Sequence, residues 1–226
     1  MLRVLSLLLL LFLLPVCSFA REASCPAPAN LISVIAETSA PAEICPAAVR
    51  ALGFLADYGL KPQRPVRLQL VEHKIAANGA DAYGSYDSRS DLIELMSLAA
   101  IKAETPPARI YGELFDPVHY AGAVAHEIAH AVVQHNLESK PRSPGPQEYL
   151  AHATQLAVLP PARRAAIITA MAVGPWLSGD VISDIYMALE PGRFAVKSYL
   201  HLTGMNQPKA FVQLLLTAKW FYVTVP

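Results

Sequence analysis

Twenty consecutive residues, 117–136, constrain this chain more than any other part of it. Apolar side chains fall on every side of a helix drawn through them, and Glu127 is their one acid or base apart from histidines. A helix that is apolar all round belongs in an interior. Pro117 suits its first turn. The His, Glu and Gln within it argue against a membrane span. The rest of the chain must therefore wrap around this segment.

Before it, residues 21–41 are rich in Ala, Pro and Ser and suggest an extended stretch. Residues 44–58 carry apolar side chains at helical spacing, and Gly59 stands where a C-terminal capping glycine belongs. Residues 64–72 alternate as a strand does. Asn78-Gly79 signals a turn. Residues 83–87 and 92–95 read as a hairpin around the polar turn 87–91. Pro106, Pro107 and Pro117 punctuate a loop region, with one short helix expected near 110–115. After a Pro-rich loop at 139–146, helices are expected over 147–158, 161–172, 179–189, 193–202 and 208–221. This order predicts an α+β fold with a small N-terminal sheet, a central helix and a helical C-terminal lobe.

Residues 1–20 read as a secretory leader. Arg3 gives the basic start, residues 4–14 are apolar apart from Ser6, and Ser18 and Ala20 are the small residues of a cleavage site after Ala20. The apolar run is short of the roughly 20 residues a span needs, so no stable membrane span is expected after cleavage. One domain, 21–226, would then be exported, to a periplasm or outside the cell. Two cysteines remain in it, Cys25 and Cys45, and an exported chain with an even count suggests one disulfide. The formal net charge of zero offers no basic face to a nucleic acid.

The central helix contains His126-Glu127-Ile128-Ala129-His130. Residues at i and i+4 share a helix face, so both imidazoles can reach one zinc ion, while Glu127 approaches the metal's open side as a general base. A catalytic zinc needs a third protein ligand. His135 comes one residue too early for the metzincin arrangement, where Asn136 stands instead. The better candidate is Glu148, across the Pro-rich loop and at the start of a helix. Asp180 and Asp184 are fallbacks, with helix capping and a solvated face as their ordinary uses.

The motif with Glu148 resembles the gluzincin clan of zinc peptidases, over residues 83 to about 159. The resemblance implies a zincin-like fold, one Zn2+ per chain held by His126, His130 and Glu148, and Glu127 as catalytic base. It also implies a peptide or protein substrate laid along an edge strand, for which the 83–95 hairpin is the counterpart. Better-known members place an Asp four residues after the ligand Glu. Here His152 stands there, open as ligand, transition-state donor or surface residue. Tyr149, Tyr186 and His201 are further candidates to stabilise a transition state. The rival expectation is a non-catalytic protein on the same scaffold that binds zinc or a peptide or protein partner.

Overall fold

The computed structural model describes residues 20–36, 44–77, 80–138, 143–217 and 223–225. The leader, apart from Ala20, lies outside them, as do the Asn78-Gly79 turn and the end of the helix expected over 208–221. The chain runs β1 (Arg21–Ser24), β2 (Ile32–Ala36), α1 (Ile44–Asp57), β3 (Val66–Val71), β4 (Ile75–Ala77), β5 (Ala80–Ala82), β6 (Gly84–Asp87), β7 (Leu92–Met96), α2 (Leu98–Lys102), β8 (Arg109–Ile110), β9 (Glu113–Leu114) and α3 (Pro117–Asn136). It continues with α4 (Gly145–Ala157), α5 (Pro161–Met171), β10 (Val181–Ile182), α6 (Asp184–Leu189), α7 (Pro191–Gly204), α8 (Pro208–Leu216) and β11 (Val223–Thr224). The α+β expectation stands.

Among the described residues one sheet has five strands in the order β1-β2-β3-β7-β6. β2, β3 and β7 run parallel, and the outer strands β1 and β6 are antiparallel to their neighbours. The extended stretch expected in 21–41 thus contains two strands. β2 and β3 are parallel because α1 crosses between them, one βαβ unit inside an otherwise non-alternating order. Inward residues Ile32, Val34, Leu68, Ile93 and Leu95 are buried in one core with residues of α1 and α3. Gly59 ends α1 with φ 85°, where its N–H and that of Leu60 return to carbonyls of the last turn. A disulfide joins Cys25 to Cys45, Cα atoms 5.5 Å apart, and fastens the β1 end to the first turn of α1.

α3 spans the expected residues. Asp116 caps it by accepting the His119 N–H at 2.9 Å, and α1, α4 and the sheet cover it on several sides. Two expectations need correcting. Residues 109–114 form the tight β8–β9 hairpin, not a helix, because Tyr111 (φ 54°) and Gly112 (φ 80°) both adopt the left-handed conformation that mirror-type hairpin turns require. The short helix of this region is α2, earlier in the chain. Nor is 179–189 one helix. Gly179 turns at φ 84°, the Asp180 carboxylate accepts the Leu177 N–H at 2.9 Å, and Val181–Ile182 pair with Val223–Thr224. Helix α6 begins only after Ser183, whose hydroxyl accepts the Tyr186 N–H at 3.2 Å.

Candidate metal centre

The two histidines of the motif and Glu148 meet where α3 packs on α4. The Nε2 atoms of His126 and His130 lie 3.0 Å apart. Glu148 approaches them with one oxygen each, Oε2 at 3.4 Å from His126 Nε2 and Oε1 at 3.5 Å from His130 Nε2. Bonds of about 2.0–2.1 Å from one zinc ion to tetrahedral N and O donors place those donors roughly 3.3 Å from one another. The three contacts are of that size, with both carboxylate oxygens of Glu148 taking part. Among the described residues these three form the cluster of potential ligands whose donor atoms all lie within 4.8 Å. Their side chains are 15 %, 14 % and 18 % exposed, buried enough to be dry and open enough to admit an ion.

Electrostatics separates the members. Burial pushes the Glu148 carboxyl up, but the imidazoles of His130, His126 and His152 outweigh it and hold the acid well below the usual range. Two imidazoles in such contact cannot both be charged. Burial lowers His130 to about 4, whereas at His126 burial is outweighed by the Glu148 carboxylate and the ring is raised. The cluster is therefore one carboxylate, a neutral His130 and a His126 whose proton is favoured by that carboxylate, a proton that metal binding would release.

Glu127 is 7 % exposed. Burial pushes its carboxyl up to about 7, the Glu148 carboxylate adding to the rise and His126 offsetting only part of it. It lies beneath β6, and a Cβ added to Gly84 would stand 2.7 Å from Glu127 Oε1 and 2.8 Å from its Cγ. The motif's glutamate thus rests directly on the backbone of an edge strand, where glycine leaves the room.

Helix α4 contributes more than Glu148. His152 and Gln155 follow it at i+4 and i+7, on the same face. His152 Nε2 is 3.8 Å from Glu148 Oε2, and its ring stands edge-on to that of His126, centroids 4.6 Å apart. It lies beside the three-membered cluster without joining it. Gln155 Oε1 is 3.1 Å from His126 Nδ1. This partner of His126 is an amide one turn beyond His152, and sequence reading missed it.

The other expected residues lie in different surroundings. Tyr149 is fully buried, its hydroxyl 2.8 Å from His201 Nδ1, so these two candidates pair with each other. Tyr186 packs on Trp176, centroids 5.3 Å apart. His135 binds Asp91 at 3.0 Å. Asp184 accepts the Ser143 hydroxyl at 2.8 Å, and Asp180 pairs with Lys197 at 3.2 Å.

Residues 32–225 match a family of unknown function, DUF6639. No curated protein and no solved structure matches the chain.

Proposed function

The chain belongs to DUF6639, a family of unknown function, and from its site we propose that it is an exported, zinc-dependent metallopeptidase on a zincin-like scaffold. The observation that carries this reading is the convergence of His126, His130 and Glu148 at ligand spacing, with Glu127 beside them on the motif helix. When bound, zinc would supply an acidified water and a Lewis acid for a peptide carbonyl.

The chain's own residues would do the rest. His126 and His130 would offer their Nε2 nitrogens, His126 after giving up the proton that Glu148 favours, and Glu148 a carboxylate. Glu127, held under β6, takes the proton from the attacking water and passes it to the leaving amine. β6 is the terminal strand of its sheet among the described residues, and its outer edge is where an extended peptide adds as a further strand. Gly84 brings that edge to Glu127. Export is supported by the leader-like first twenty residues and by the Cys25–Cys45 disulfide. Among the described residues no helix is long and apolar enough to cross a membrane.

The test is zinc stoichiometry of the purified chain alongside His130→Ala and Glu148→Ala, followed by a peptide-library screen with Glu127→Gln as control. One zinc per chain, lost in both ligand variants, with cleavage abolished in Glu127→Gln, is the expected result. A wild-type chain without zinc would overturn the reading. Zinc without cleavage of any peptide would leave a non-catalytic zinc-binding protein.

A further inference from the structure

Gln155 is 5 % exposed and its side-chain oxygen has two histidine partners. Oε1 lies 3.1 Å from His126 Nδ1 and 3.2 Å from His152 Nδ1. The position is prepared from the opposite helix. Gly122, one turn before His126 on α3, lets α4 come close: a Cβ there would stand 3.2 Å from Gln155 Cγ and 3.5 Å from the Gln155 carbonyl oxygen. His152 is held from its other side by Phe194, ring centroids 5.6 Å apart.

An amide oxygen only accepts hydrogen bonds, and it can accept two. A neutral imidazole carries its proton on one nitrogen and a lone pair on the other, and the bond made by one fixes the role of the second. His126 can hold a metal through Nε2 only if its proton sits on Nδ1, which requires the oxygen of Gln155, not its NH2, to face it. That same oxygen then faces His152 Nδ1, where a second lone pair would repel it. His152 must also carry a proton on Nδ1, and its Nε2 is left bare beside Glu148.

We infer that Gln155 is a positioning residue whose single carbonyl oxygen sets the tautomer of both His126 and His152, making the first a metal ligand and the second a hydrogen-bond acceptor at the rim of the site. Substrate N–H groups or water are what such an acceptor receives. The inference rests on the zinc reading of the site.

The test uses zinc-loaded full chain labelled with 15N-histidine. Two-bond proton–nitrogen correlation spectra show which ring nitrogen carries the proton. The expected result is a neutral Nδ1–H form for both His126 and His152. A His152 protonated on Nε2, alone or in addition, overturns the inference. Zinc affinity is measured in parallel by competition with a chelating dye. Gln155→Leu removes the acceptor and should weaken zinc about 10–100-fold, the usual effect of losing an outer partner of a ligand histidine. Gln155→Glu keeps an acceptor oxygen and should restore most of that loss. Wild-type affinity in Gln155→Leu, or equal weakening in both variants, also overturns it. A wild-type chain that binds no zinc fails at the earlier reading, which separates the two failures. Should Gln155→Leu not fold, the wild-type tautomers decide.

Discussion

Gly84→Ala adds one methyl group, and the sign of its effect is diagnostic. Among the described residues the glycines at positive φ are Gly59, Gly112 and Gly179, and Gly84 is not one of them. Alanine there carries no left-handed strain, and a neutral Gly→Ala exchange stabilises by about 0.4–1 kcal/mol through the unfolded chain. The new Cβ, however, would stand 2.7, 2.8 and 3.0 Å from Oε1, Cγ and Cδ of Glu127. The nearest contact falls about 0.7 Å short of ordinary van der Waals distance. Glu127 is buried and its Cγ is only two bonds from the helix backbone, so the carboxylate cannot swing away freely. Overpacking of this kind costs about 1–3 kcal/mol. Denaturant unfolding of Gly84→Ala should therefore show a net loss. Zinc content should be unchanged, because His126, His130 and Glu148 are not in the new methyl's path. On any peptide the screen identifies, the rate should fall about 100-fold, the scale for displacing a reacting group by an ångström. A variant as stable as wild type or more so, or one that loses zinc, would refute the claim that β6 backbone holds Glu127 in place.

Removing the disulfide with Cys25→Ser/Cys45→Ser frees a loop closed by cysteines twenty residues apart; it should cost about 3 kcal/mol at most in denaturant unfolding. Asp91 gives a pH signature. Burial raises its carboxyl, but hydrogen bonds from Arg64, Tyr86 and His135 outweigh burial and bring it down to about 2. A folded value below the unfolded one means the stabilisation is full above about pH 4 and disappears as pH falls through about 2. With solvent screening it is worth about 1 kcal/mol. Asp91→Asn, which tolerates the φ of 51° found there, should flatten that acid limb of the unfolding profile.

Helix α3, the His126-Glu127-His130 spacing, Glu148 and the β6–β7 hairpin were legible because each is a local pattern: an apolar segment, an i,i+4 pair, a helix start after prolines, an alternation around a polar turn. Gln155 was not. An amide two turns after Glu148 looks like any polar helix residue until Gly122 draws the two helices together. Gly84 likewise reads as a weak strand residue, and its use depends on Glu127 from a helix 43 positions on. Strand β10 was hidden for a different reason. Its partner β11 lies some forty residues away, while its own apolar residues followed by Ser183-Asp184 mimic a helix run. Tyr111 at positive φ is a conformation no propensity would assign to a bulky side chain.

Glu148, His152 and Gln155 occupy one face of α4 by virtue of their register alone. Inserting or deleting a single residue between Glu148 and Gln155 would turn everything downstream by about 100° and carry Gln155 off the site. The spacing therefore acts as one geometric unit: His-Glu-x-x-His followed, after seventeen intervening residues, by Glu-x-x-x-His-x-x-Gln. Written that way it becomes a search pattern far more selective than the five-residue motif. Applied to other chains, it would separate those that carry the whole arrangement from those that carry the five-residue motif alone.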